Sequence, residues 1–162
     1  MGYEPAAWAT FGGALAAIAG ALTGLLFVAV SVNGTALAES PTIRLRAAQT
    51  LVLFMISVLI AVVLVAPQPA TAIGAELVVL AVLSGFVLLV LDRRAGHASE
   101  PGIARYVERF SPNTITAVLV AISGATVMAR AGGGFYWLIP TVAASLIGGV
   151  VNAWQFLVRV PS

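Results

Sequence analysis

Five apolar stretches, over residues 6–32, 47–66, 72–91, 112–128 and 136–158, constrain this chain more than any other feature. Each reaches or approaches the ~20 residues that an α-helix needs to cross a hydrocarbon core of roughly 30 Å. Together they use most of the 162 residues and leave no room for a separate soluble domain. Hydrophobic residues make up 60% of the chain and charged residues 9%, against about 45–50% and about 25% in soluble domains, which excludes a soluble monomer. The expected fold class is all-α, a polytopic membrane helix bundle with five transmembrane helices in a single integral membrane domain over residues 1–162.

The punctuation between the stretches agrees. Asn33-Gly34 closes the first, since both residues tolerate the left-handed conformation that ends helices. Ser40-Pro41 opens the second with a capping hydroxyl and a proline where no amide hydrogen is needed. Pro67-Gln68-Pro69 stops it, and the third helix follows so closely that the two must form a hairpin. Ser111-Pro112 repeats the cap-plus-proline start for the fourth, and Gly132-Gly133-Gly134 turns the chain into the fifth. Within the long polar interval before Ser111, Ile103, Tyr106, Val107 and Phe110 recur at helical spacing opposite Arg105, Glu108 and Arg109, predicting a short interfacial amphipathic helix over 102–110. The first stretch is too long for a signal-peptide core, and no positive segment precedes it, so it reads as an uncleaved helix.

Arginines set the expected orientation. With the N-terminus outside and the C-terminus inside, the inner segments hold Arg44, Arg46, Arg93, Arg94, Arg105, Arg109 and Arg159, leaving Arg130 alone outside. That asymmetry needs an odd number of spans, as five provides. It also accounts for the basic pI of about 9.7: net charge is only +2, and the arginines cluster at membrane boundaries, so no nucleic-acid partner is expected.

Missing residue types exclude much chemistry. Without cysteine there is no thiolate nucleophile, disulfide or sulfur-ligated metal. The lone histidine, His97, cannot build a histidine metal cluster or a bis-histidine haem within one chain; it reads as an exposed loop residue. No lysine is present to activate a serine, and Gly132-Gly133-Gly134 lacks the Gly-Lys-Ser/Thr continuation of a phosphate loop. No catalytic site, cofactor or metal is therefore expected, and the chain is not read as an enzyme.

Within lipid, small residues that let backbones approach and polar residues that hydrogen-bond carry the information about packing. Gly20 and Gly24 form a GxxxG pair in the first helix, a cheap match in a chain with 16 glycines. In the fifth helix Thr141, Ser145, Gly148, Asn152, Gln155 and Arg159 lie within about 40° of one line at 100° per residue. Such a face either lines a water-filled path or packs inside a bundle or between subunits, with Asn152 expected to be buried in protein beside the first helix. Glu76 and Arg130 fall on the outer side as a candidate ion pair, and Asp92 reads as a solvated boundary charge beside Arg93 and Arg94.

The run Gly24-Leu25-Leu26-Phe27-Val28-Ala29-Val30-Ser31-Val32-Asn33, followed by Arg44-Leu45-Arg46-Ala47-Ala48-Gln49-Thr50-Leu51, resembles a family of small actinobacterial integral membrane proteins, often labelled "modulator of FtsH protease". The resemblance extends over about half the chain. It implies a bacterial plasma-membrane protein and carries over no residue role. Arginine used without any lysine fits a GC-rich genome of that kind.

The expected function is association in the bilayer: a non-catalytic protein acting as a homo-oligomer or as an accessory subunit of a larger membrane assembly. The alternative is a small oligomeric channel or passive carrier lined by helices four and five.

Overall fold

The computed structural model describes residues 2–96 and 112–158. All regular structure among them is helical: a 3-10 turn at Pro5–Trp8, then α1 Ala9–Val32, α2 Gly34–Glu39, α3 Pro41–Val65, α4 Ala70–Gly96, α5 Pro112–Ala129, a second 3-10 turn at Gly134–Trp137 and α6 Leu138–Val158. In a bilayer such elements are favoured because each helix satisfies its own backbone polar groups. Four segments, Pro5–Val32, Ile43–Val65, Ala70–Arg94 and Gly134–Trp154, are long and apolar enough to cross a membrane, which makes this a multi-pass membrane protein with a helical-bundle fold. α5 is shorter, with an apolar span of Asn113–Ala129. It nevertheless runs the height of the bundle, because Asn113 bonds Asp92 at one end while the turn that follows α5 meets the N-terminal segment at the other.

Local sequence explains where the helices stop. The Ser40 hydroxyl accepts from the Ile43 amide at 3.4 Å, with Pro41 at the first helical position. Asn33 caps α1, its backbone and side-chain N–H groups both donating to Ala29 O. Gly34 does not end the helical path as expected but opens the six-residue α2, since Asn33 O goes on to accept from the Leu37 amide. The turn before α6 is strongly left-handed: Arg130, Gly132, Gly133 and Gly134 have φ of 50°, 80°, 110° and 58°. Glycine is required at Gly134, where a Cβ would fall on Gly2 O. That carbonyl instead accepts from the Phe135 amide at 2.9 Å, and the Tyr3 hydroxyl accepts from the Gly133 amide at 3.1 Å. Trp8 packs on Phe11, Phe135 and Tyr136 with ring centroids 5.3–6.0 Å apart, closing this end of the bundle with aromatic rings. The expected interfacial helix over 102–110 lies outside the described residues.

α3 is the hub, packing against α1, α4 and α6. Leu53, Ile56, Ile60 and Leu64 are buried along it, joined by Ile73 and Leu77 of α4, Val120 and Val127 of α5, and Phe135 and Leu138. α1 sits at the rim, its main partner being α3. Only 17% of its most apolar stretch is buried, against 50% for α3.

Candidate functional site

The polar face of α6 turns into the bundle. Thr141 and Ser145 are completely buried, and Gly148 is buried with them. Thr141 Oγ1 donates back to Trp137 O at 2.6 Å, a bond within its own turn. Ser145 reaches across: its Oγ donates to Leu53 O of α3 at 2.5 Å and accepts from Ser57 Oγ at 3.1 Å. One turn on, Gly149 lets the Phe54 ring press against α6, in the space a Cβ would occupy. Activating a serine needs a general base, and here the hydroxyls bond only one another and a main-chain carbonyl. Asn152 is half-buried and its amide makes no hydrogen bond among the described residues, so the expectation of a buried, partnered amide does not hold. The side chain of Gln155 and the whole of Arg159 lie outside the described residues.

The glycines that bring helices together are not the expected ones. Gly20 and Gly24 are exposed, with open space where a Cβ would project, and so is Gly13. The opposite side of α1, carrying Gly12, Leu15, Ala19 and Leu26, faces α3. A Cβ on Gly12 would stand 3.0 Å from both Leu64 and Val65. The closest backbone approach joins α4 and α5 instead. A Cβ at Gly124 would lie 2.7 Å from Gly74 O and 2.9 Å from Val78 N, while one at Gly74 would lie 3.0 Å from Gly124 O. Gly124 has no small residue at GxxxG spacing in its own helix and Gly74 has only Ala70, so the glycine pair exists only across the interface.

At the arginine-rich end, three helices meet through amides and one carboxylate. Asp92 Oδ1 accepts from Gln49 Nε2 of α3 at 2.7 Å and from Asn113 Nδ2 of α5 at 2.8 Å. Gln49 and Asn113 are buried and Asp92 half-buried, so Asp92 is a structural acceptor and not the solvated boundary charge that its neighbours Arg93 and Arg94 suggested. Deeper in the bundle, Thr50 Oγ1 donates to Arg46 O at 2.9 Å, while the fully buried Thr116 Oγ1 has no hydrogen-bond partner. An apolar stretch interrupted by an amide at Gln49, and another opened by one at Asn113, was the available signal for this junction.

The outer ion pair does not form. Glu76 is exposed and its Oε2 accepts from Gln68 Nε2 at 2.7 Å, across the Pro67–Pro69 hairpin, while Arg130 is held in the left-handed turn after α5. No salt bridge joins the two. His97 lies outside the described residues, and among those described no three His, Asp or Glu side chains come together as a metal site would need.

Comparison with family models, with curated proteins and with solved structures finds no significant match.

Proposed function

We propose that this chain is a non-catalytic integral protein of a bacterial plasma membrane that acts by association, as a homo-oligomer or as an accessory subunit of a larger membrane assembly. All five long helices cross the bilayer in this reading, with the N-terminus outside and the seven inner arginines facing the cytoplasm.

The outer side of α1 carries the proposal. Gly13, Ala17, Gly20, Ala21 and Gly24 form a shallow stripe opposite the face that packs on α3, and nothing among the described residues covers it. Lipid chains gain little from such a groove, whereas another helix can approach closely enough for dispersion and Cα–H contacts. Polar groups on the other helices are largely engaged inside the bundle, as at Ser145 and Asp92, and the exposed faces of α4 and α6 carry bulky side chains such as Phe86 and Trp154, whereas the free face of α1 is lined by small residues. A channel lined by the fourth and fifth apolar stretches, α5 and α6, draws no support from Thr141 or Ser145, both completely buried.

Native mass spectrometry and detergent-corrected sizing test this reading. Association predicts a dimer or larger oligomer, or a partner recovered by crosslinking in membranes; a strict monomer with no crosslinked partner refutes it.

A further inference from the structure

We propose that the arginine-rich end of the α3–α4 pair binds the headgroup of an anionic phospholipid whose acyl chains lie along the exposed side of α4. The hydrogen bond between Gln49 and Asp92 fixes the relative height of the two helices. Arg46 and Arg44 lie three and five residues beyond Gln49 on α3, and Arg93 and Arg94 one and two residues beyond Asp92 on α4. At ~1.5 Å rise per residue the four backbone positions fall within a slab about 6 Å thick. Arg44, Arg93 and Arg94 are exposed and Arg46 is half-buried. Among the described residues this end holds two carboxylates, Glu39 and Asp92, against the four arginines, a net charge of +2 however they pair. The outward face of the end is therefore cationic, and guanidinium forks suit phosphodiester oxygens.

The side of α4 below these arginines selects a lipid over a soluble phosphate. Val82, Phe86 and Leu89 are all exposed and follow one another at helical spacing up to Arg93; Leu83 and Val87, also exposed, lead in the same way to Arg94. Two apolar rows each ending in a guanidinium form a surface for an amphiphile with an anionic head and an apolar tail. A free anion would use only the arginines.

The full chain in phosphatidylcholine nanodiscs titrated with phosphatidylglycerol, with retained lipids counted by native mass spectrometry, tests this directly. The wild-type chain should retain phosphatidylglycerol preferentially, and the preference should shrink as salt rises. Arg44→Gln with Arg94→Gln should lower it about thirtyfold, taking about 1 kcal/mol for each arginine near a charged surface. The Lys counterparts at both positions should keep it to within a few-fold, and Arg130→Gln, at the opposite end, should leave it unchanged. Equal retention of both lipids by the wild-type chain would overturn the proposal, as would an equal loss in Arg130→Gln. Displacement of the lipid by millimolar inorganic phosphate would also overturn it, in favour of a soluble-anion site. If the double Gln variant failed to fold, the wild-type lipid comparison and its salt dependence would still decide.

Discussion

Replacing Gly124 with alanine should destabilise the protein, whereas the same change at Gly20 should not. The added Cβ at Gly124 would stand 2.7 Å from Gly74 O and 2.9 Å from Val78 N, where ordinary contact begins at 3.4 Å, so α4 and α5 would have to part by about 0.7 Å. Its nearest neighbours include rigid backbone atoms of α4, which cannot rotate away as a side chain would. Parting the pair also strains its distant contacts, since Gly85 already packs on Ala117 and Asp92 is bonded to Asn113. Overpacking of this kind costs about 1–3 kcal/mol. Alanine gains up to about 1 kcal/mol in helix propensity at either position, and this gain cancels when the two variants are compared. Thermal or denaturant unfolding in a fixed detergent should therefore separate Gly124→Ala from Gly20→Ala by about 1–3 kcal/mol, or roughly 2–4 °C for each kcal/mol. Equal stabilities to within about 0.5 kcal/mol would refute the assignment of Gly74 and Gly124 as the tightest helix crossing.

Ser145→Ala should lose about 0.6–1.7 kcal/mol from the α3–α6 contact in the same unfolding assay, whereas Asn152→Leu, which removes no hydrogen bond, should stay within about 0.5 kcal/mol of wild type. Asp92→Ala strands the amides of Gln49 and Asn113 and should cost about 1–3 kcal/mol for each donor left unpaired. Asp92→Asn retains an acceptor oxygen and should cost less, and hydrogen exchange should show the loosening at the adjoining ends of α3 and α5. Tyr3→Phe removes the acceptor of the Gly133 amide, so residues 2–8 should become more open to proteolysis with little change in global stability.

The spans were legible because hydropathy over ~20 residues suffices to find them, and Ser40, Pro41 and Pro67 mark ends where the physics is local. Contact partners were not legible in the same way. On a helix in lipid, a face that meets another helix and a face that meets acyl chains have nearly the same composition. Nothing in their composition told Gly12, which meets α3, from Gly20 and Gly24, which face away from the bundle, and Gly74 and Gly124, 50 residues apart in sequence, gave no GxxxG motif. Asp92 was misread for a related reason: its two amide donors are 43 and 21 residues away, and beside Arg93 and Arg94 a bonded carboxylate looks like a solvated one. In α6 the alignment of Thr141, Ser145 and Gly148 was visible from periodicity, but only α3 opposite it, offering Leu53 O and Ser57, shows that the face is internal packing.

Disulfide crosslinking in native membranes tests the association reading most directly, and the absence of native cysteine leaves no background. Gly20→Cys and Gly24→Cys place thiols on the open stripe of α1, and Leu83→Cys places one on the exposed side of α4 as a control. If α1 is the docking helix, oxidation should convert the two α1 variants, and not Leu83→Cys, into a covalent dimer or a covalent adduct with one partner protein. Monomer alone at both α1 positions, or crosslinking at Leu83→Cys as efficient as at Gly20→Cys, would contradict it.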